Sequence, residues 1–481
     1  MLREDKESTM SAGDAWNGEK GVSIAALRSA LKGTVIVRGD ATYDEARTVF
    51  VGGIDRRPAV IVRPAGAQDV AHVVGLARES GVELAIRSGG HSSAGHSVSE
   101  GGIVLDLRDM RALDIDVEGR TAWAGAGLTA GEYTTAVGAH GLATGFGDTG
   151  SVGIGGITLG GGVGFLARKH GLTIDDLLAA EIVTADGRIL QVSPDSHPDL
   201  FWAIRGGGGN FGVVTRFQYR LHPLPSIVGG MLFLPATPET IAGFVAAADQ
   251  APEELTTILN VMPAPPMPFM PQEQHGQIIL FAFMCYAGNA EDGERALAPF
   301  RALAEPIADM VRPMRYAEMY MPEDGDYHPK AVGHTMFLDG VDRELAQTIV
   351  DYLQASDAPM RAAQVRVLGG AVARVPVEAT AYAHRQAPIM VNLAAFYETA
   401  EEQTTRQRWL EQFAADLDQG NTAAYVNFLG DEGPARVRAA YPPVTWKRLV
   451  EVKRRYDPGN LFRLNQNIRP STGEVDEGAR Q

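Results

Sequence analysis

Arg87-Ser88-Gly89-Gly90-His91-Ser92 is the stretch on which the reading of this chain turns. Val70, Val73, Val74 and Ala77 fall at i, i+3, i+4 and i+7, one face of a helix that Gly81 can end. Residues 82–87 then alternate as a strand and run straight into the two glycines. Without a Cβ the backbone can come close to a ligand and aim several N–H groups at an anion. A diphosphate gripped by those amides, with the His91 imidazole beside it, is the first expectation.

Before the loop, residues 57–64 read as a buried strand bracketed by prolines, and residues up to about 39 look peripheral, with one short helix at 24–31. After it come a strand at 103–107 and a hairpin over 115–122 turning at Glu118-Gly119. Thr129-Ala130-Gly131-Glu132 fits a capping box opening a helix that Gly141 closes. A second glycine-rich stretch follows, Gly153-Ile154-Gly155-Gly156-Ile157-Thr158-Leu159-Gly160-Gly161-Gly162-Val163-Gly164. Asp186-Gly187 marks a hairpin inside residues 180–192, a short helix fits 198–205, and residues 213–221 alternate as a strand. Beyond Pro225 the texture changes: strand-like runs at 231–234, 257–262, 277–286 and 389–397 alternate with helices such as 238–248. That is α+β character with mostly antiparallel pairing, and suits a second domain. Residues 263–274 read as an irregular loop, residues 446–455 as a basic helix, and the tail from Ser471 as polar and disordered.

The 481 residues can bury large cores in two or three domains. Their 55 glycines cluster between Gly89 and Gly212 without period, which points to backbone–ligand contact and not to a collagen or linker sequence. A formal charge of −16 argues against nucleic acid and acidic membranes as partners. The single cysteine, Cys285, excludes an intramolecular disulfide and a multi-cysteine metal site. Residues 1–21 are polar, with no apolar run of a signal peptide, and no apolar stretch reaches the roughly 18 residues of a membrane span. A soluble, cytoplasmic protein is the expectation; nothing in the sequence reads on oligomeric state.

Gly145-Phe146-Gly147-Asp148-Thr149-Gly150 matches a dinucleotide-binding fingerprint, but no clean βαβ unit with a ribose-binding acid surrounds it. His91 and His96 are close in sequence, yet beyond a guess at Asp106 no third ligand has plausible spacing, so no metal is expected.

Together these motifs resemble the FAD-linked oxidases of the vanillyl-alcohol-oxidase superfamily, specifically the berberine-bridge-enzyme-like group. The likeness rests on the two glycine stretches, on Val183-Thr184-Ala185-Asp186-Gly187, and on Asp199-Leu200-Phe201-Trp202-Ala203 with Arg205-Gly206-Gly207-Gly208-Gly209-Asn210-Phe211-Gly212. Tyr456-Asp457-Pro458 with Asn465-Gln466-Asn467-Ile468 matches the group's closing signature. The resemblance implies an α+β fold: a PCMH-type FAD-binding domain of two α+β subdomains, plus a substrate domain whose antiparallel sheet is covered by helices. The boundaries expected are a peripheral segment at 1–39, the FAD domain at 40–225, the substrate domain at 226–424, and a segment at 425–481 that completes the FAD domain.

It further implies FAD joined through one covalent bond from His91 to the flavin's C8 methyl, since Thr149 stands where many members carry a second, cysteine link. By motif position Arg87, Ser88, Gly89, Gly90, Ser92, Thr149, Gly150, Gly153, Gly156, Val183, Val213, Asn465 and Asn467 are assigned to the cofactor. The implied reaction takes a hydride from a small-molecule alcohol, amine or natural product to flavin N5, with O2 then reduced to hydrogen peroxide. Tyr425, in a segment read as a strand, is the candidate base; a core tyrosine in an alternating strand is the competing reading. Asn392 shares a strand face with Met390 and Ala394, and can orient a substrate but not deprotonate it. Tyr382 and His384 are further candidates, His384 being equally explained as a structural hydrogen-bonder. A dehydrogenase using another electron acceptor, or a catalytically silent flavin-binding protein, are the other readings.

Overall fold

The computed structural model describes residues 15–16, 22–322 and 325–470; the polar start and the tail from Ser471 lie outside them. Three sheets organise the chain. The first contains β1 (Thr34–Val37), β2 (Val60–Arg63), β3 (Leu84–Arg87) and β4 (Ile103–Asp106), in the order β1-β2-β4-β3. β4 runs parallel to both β2 and β3. Val60, Ile61 and Val62 are fully buried, as expected of strands covered on both faces. The helix Ala67–Ser80 packs the sequence-predicted stripe inward and ends on Gly81 in the left-handed conformation. Within the segment read as peripheral, residues 24–37 are part of the fold: β1 pairs with β2, and Ile24, Leu27, Val35 and Val37 belong to the main core. Their short length and lack of a repeating pattern hid this.

The second sheet orders β5 (Leu113–Asp116), β6 (Thr121–Gly125), β7 (Leu177–Val183), β8 (Ile189–Val192) and β9 (Val213–Arg220) as β8-β7-β9-β6-β5. Both predicted hairpins form, β5–β6 and β7–β8. Between the hairpins lie the helix Ala130–Gly138, with both bonds of the Thr129/Glu132 capping box, and the helix Ile154–Gly160.

The third sheet is antiparallel. β10 (Ile227–Pro235), β11 (Leu255–Pro263), β12 (Ile278–Tyr286), β13 (Ala331–Leu338), β14 (Arg361–Val367) and β15 (Ile389–Phe396) run in the order β10-β12-β11-β14-β15-β13, with two short strands at the β10 edge. Helices Pro238–Gln250, Ala290–Arg301, Arg343–Ala355 and Ala400–Leu417 cover one face, and their apolar stripes join a second core.

The C-terminal segment returns to the first core. Lys453, on the helix Pro443–Tyr456, is wholly buried; its ammonium donates to the carbonyls of Asn210 (2.8 Å) and Phe462 (2.9 Å) and to Asp457 Oδ2 (2.6 Å). Asp457 in turn accepts from the backbone N–H groups of Leu461 and Phe462. The Asn210 amide donates to Gln466 O and accepts from Ile468 N. The tetraglycine motif and the closing motif are thus two halves of one contact. Among the described residues no helix is long and apolar enough to cross a membrane.

Candidate functional site

A cavity of about 1230 Å³ opens where the glycine loops of the first unit face the uncovered side of the third sheet. Arg87 lies opposite Asp106 in the β3–β4 register and pairs with it at 2.8 Å; Arg63 and Arg108 hold the same carboxylate. The end of β3 is therefore pinned where the loop begins. Ser88 Oγ donates to Ala126 O (2.6 Å) and accepts from Gly155 N (3.3 Å), which ties the first glycine loop to the second. A Cβ on Gly89 would fall 2.2 Å from Gly153 N, and one on Gly153 would fall 2.2 Å from Gly89 N. The two loops touch backbone to backbone, and only glycine permits that approach.

His91 projects from this weld into the cavity wall. Its ring stacks on Phe50 with centroids 4.1 Å apart, and Nε2 shares a 2.9 Å hydrogen bond with Ser151 Oγ. Ser88 through Ser92, Thr149, Gly153, Gly156 and Asn465 line the same cavity, as do Asn392 and Tyr425. Thr149 Oγ1 donates to Asp148 (3.3 Å), whose carboxylate pairs with the buried Arg366 of β14. Cys285 is buried in β12, where burial pushes its thiol up to about 12, so it supplies no reactive thiolate.

Six assigned residues lie elsewhere. The Arg87 side chain is turned inward onto Asp106 and the carbonyls of Ala46 and Thr48. Gly150 accepts from Gly131 N behind the loop. Val183 and Val213 are paired across β7 and β9 and fully buried in the core. Alternation marked them as inward-facing but not toward which interior. Asn467 lies outside the cavity lining. Tyr382 sits behind Tyr425, edge to face at 5.9 Å, and does not reach the cavity. His384 shares a hydrogen bond with Ala440 O (2.8 Å), the structural role.

Tyr425 is not on a strand. It precedes a single 3-10 turn at Val426–Phe428, held by Asn427 Nδ2, which donates to Ile157 O and to the Tyr425 hydroxyl, each at 3.0 Å. Gly162 N also donates to that hydroxyl (2.9 Å). Burial pushes the phenol above its usual 10, against the smaller opposite effect of these two donors and Arg366. A phenol so placed stays protonated near neutral pH. His96, also at the cavity, is held down to about 4 by burial and is neutral.

Sequence reasoning missed Phe50, Asp148, Ser151 and Arg366. Asp148 and Ser151 stand within or beside quoted motifs, a usable signal; Phe50 and Arg366 gave none.

The residues present fit a dinucleotide cofactor. The volume exceeds that of a single small-ligand pocket, leaving room for cofactor and substrate together. The side-chain amide oxygen of Asn465, which lines the cavity, is buried without a hydrogen-bond partner. The glycine cradle is one that any Cβ at Gly89 or Gly153 would close.

Two family models match: FAD binding domain over residues 58–193, and berberine and berberine like over residues 424–469. (R)-6-hydroxynicotine oxidase of Paenarthrobacter nicotinovorans is 32% identical over 461 residues, covering 92% of this chain and 97% of that one. The crystal structure of 6-hydroxy-D-nicotine oxidase from Arthrobacter nicotinovorans has a TM-score of 0.81 at 28% identity, covering 92% of this chain and 98% of that one. Glucooligosaccharide oxidase of Acremonium strictum, described with a 6-S-cysteinyl, 8α-N1-histidyl FAD, shares the fold with a TM-score of 0.82 at 24% identity, covering 93% and 99%.

Proposed function

This chain belongs to the berberine-bridge-enzyme-like FAD-linked oxidoreductases of the vanillyl-alcohol-oxidase superfamily, and we propose that it is an oxidase carrying FAD on a single covalent bond from His91. The observation that carries this reading is the His91 ring, fixed between Phe50 and Ser151 on the wall of the glycine-loop cavity. FAD held by these residues would supply two-electron redox chemistry, in which a substrate CH–OH or CH–NH and O2 give the carbonyl or imine and hydrogen peroxide, the second proton of the peroxide coming from the substrate O–H or N–H. The chain's own residues hold, orient and exclude water. Thr149 offers no thiol, so the tether is one-point.

The substrate class proposed is a small alcohol or amine, as the relative named for 6-hydroxynicotine suggests. It would lie beneath the third sheet, between Asn392 and Ala394 above and Tyr425 below. Tyr425, protonated and with its oxygen already accepting two hydrogen bonds, would donate to the substrate. Asn392 would orient it. The test is anaerobic mixing of the holoenzyme with a panel of alcohols, amines and natural products, followed by admission of air. Bleaching of the flavin, then rapid reoxidation with stoichiometric peroxide, is expected. Bleaching with slow reoxidation would indicate a dehydrogenase, and no bleaching across the panel a silent flavoprotein.

A further inference from the structure

One buried ion pair ties the third sheet to the glycine loops. Gln364 of β14 pairs directly with Asn392, which lines the cavity, and Arg366, two residues on, shares that face of the sheet. The neighbours of Arg366 across β11 and β15 are Ile258 and Met390, both buried. Among the described residues its one ion-pair partner is Asp148, from the loop that leads into the second glycine stretch. The guanidinium also lies over the Phe428 ring, 4.8 Å from its centroid, and Tyr425 packs against the same ring at 5.1 Å. The pair therefore stands beside Tyr425, in the part of the cavity read as the substrate site.

The two partners face different surroundings. The Arg366 side chain is 3% exposed and lies behind the cavity wall, whereas Asp148 is 21% exposed and lines the cavity. Asp148 Oδ2 takes the guanidinium, and Oδ1 accepts from Thr149 Oγ1 at 3.3 Å. An ionised carboxylate accepts about four hydrogen bonds, so acceptor positions remain for a donor in the cavity. With both oxygens fixed by neighbours, little side-chain freedom is left to lose when a ligand binds. Asp148 thus offers a preorganised acceptor whose charge is cancelled by a cation that the ligand does not touch. The other charged groups of the lining, Glu411, Asp431, Glu432 and Arg436, gather at the β13 edge, where Arg436 pairs with Glu432 at 3.0 Å and donates to Thr335 O. β13 is two strands from β14, roughly 10 Å away.

We propose that Asp148 is a substrate-recognition residue that accepts the O–H of a neutral hydroxyl compound, and that Arg366 is the positioning residue that fixes its carboxylate and cancels its charge. The class selected is then a neutral alcohol, over its ether and over an ion of either sign. The proposal rests on the reading of this cavity as the substrate site.

The experiment uses the holoenzyme at about pH 7 and probes with no hydrogen on the carbon bearing the polar group, so that none is oxidised: cumyl alcohol, cumyl methyl ether, cumylammonium and α,α-dimethylphenylacetate. Dissociation constants come from perturbation of the flavin absorbance. Wild type should bind the alcohol about tenfold tighter than the ether, and tighter than either ion. The double variant Asp148→Ala/Arg366→Met leaves no buried charge unpaired and should bring alcohol and ether to within about twofold. The single variants should bias the ions in opposite directions. Asp148→Asn leaves the guanidinium uncancelled and should move the carboxylate-to-ammonium preference about tenfold toward the carboxylate. Arg366→Met leaves the carboxylate uncancelled and should move it about tenfold toward the ammonium. Each ratio is taken within one protein, so a general loosening of the fold, which weakens every probe, does not produce opposite signs. Should a single variant not fold, the double variant decides. An alcohol preference that survives the double variant overturns Asp148 as the recognition residue, and ion ratios that move together or stay put overturn the role of Arg366. Failure of every probe to perturb the flavin overturns the substrate-cavity reading, and the proposal with it.

Discussion

Replacing Lys453 with methionine should loosen the closing motif and the cofactor site together. The wild-type ammonium makes three short hydrogen bonds, to Asp457, Asn210 O and Phe462 O, and neither Lys453 nor Asp457 has any exposed side-chain surface. Methionine matches the volume but leaves Asp457 charged and buried with only two backbone donors. Removing one partner of a buried pair costs about 3–5 kcal/mol. For a cooperative unit of about 250 residues, each kcal/mol lowers Tm by about 2–4 °C, so the expected fall is roughly 6–20 °C. The Phe462 carbonyl also anchors Asn465, which lines the cavity, so flavin content should fall with stability. The assay is thermal unfolding followed by circular dichroism, beside the ratio of flavin to protein absorbance. A Lys453→Met protein melting within about 2 °C of wild type, with full flavin, would refute the argument, since it allows less than about 1 kcal/mol.

Gly153→Ala places a methyl 2.2 Å from Gly89 N and should cost about 1–3 kcal/mol or more while depleting bound flavin; Gly75→Ala, in open space on a helix, should stabilise by up to about 1 kcal/mol in the same thermal assay. Tyr425→Phe strands the Gly162 and Asn427 donors and should lower stability by about 1–3 kcal/mol. Because the raised phenol stays protonated, the variant's flavin-bleaching rate should fall less than about a hundredfold and keep the wild-type pH profile between about pH 6 and 9; loss of an inflection there would make Tyr425 a base. His96, at 6.5 unfolded and about 4 folded, lets the unfolded chain bind the extra proton between those values. Its stabilising effect is therefore complete above pH 6.5 and lost as pH falls toward 4, by no more than about 3 kcal/mol, and His96→Gln should flatten the acid limb of stability against pH.

What the sequence made legible was local. The Thr129/Glu132 box and the Asp186-Gly187 turn are decided by neighbours three or four residues apart, and both formed as read. The glycine loops were legible because close backbone approach leaves a compositional mark. Contacts between distant segments leave none: Phe50 reaches His91 only after folding, and Arg366 finds Asp148 across more than 200 residues. β13 and β14 went unread because their cavity faces carry Gly333, Thr335, Gln364 and Arg366, which break apolar alternation where the site needs space and polarity. Tyr425 was misread for a related reason. Tyr-Val-Asn-Phe mimics a strand, but the Asn427 amide folds it into a turn.

The central claim is the bond from His91, and acid denaturation tests it most directly. The purified holoenzyme is precipitated in acid and visible spectra are taken of pellet and supernatant. The account predicts yellow in the pellet for wild type, and none in the pellet for His91→Ala. Yellow confined to the wild-type supernatant, or a pellet that stays yellow without His91, would contradict it.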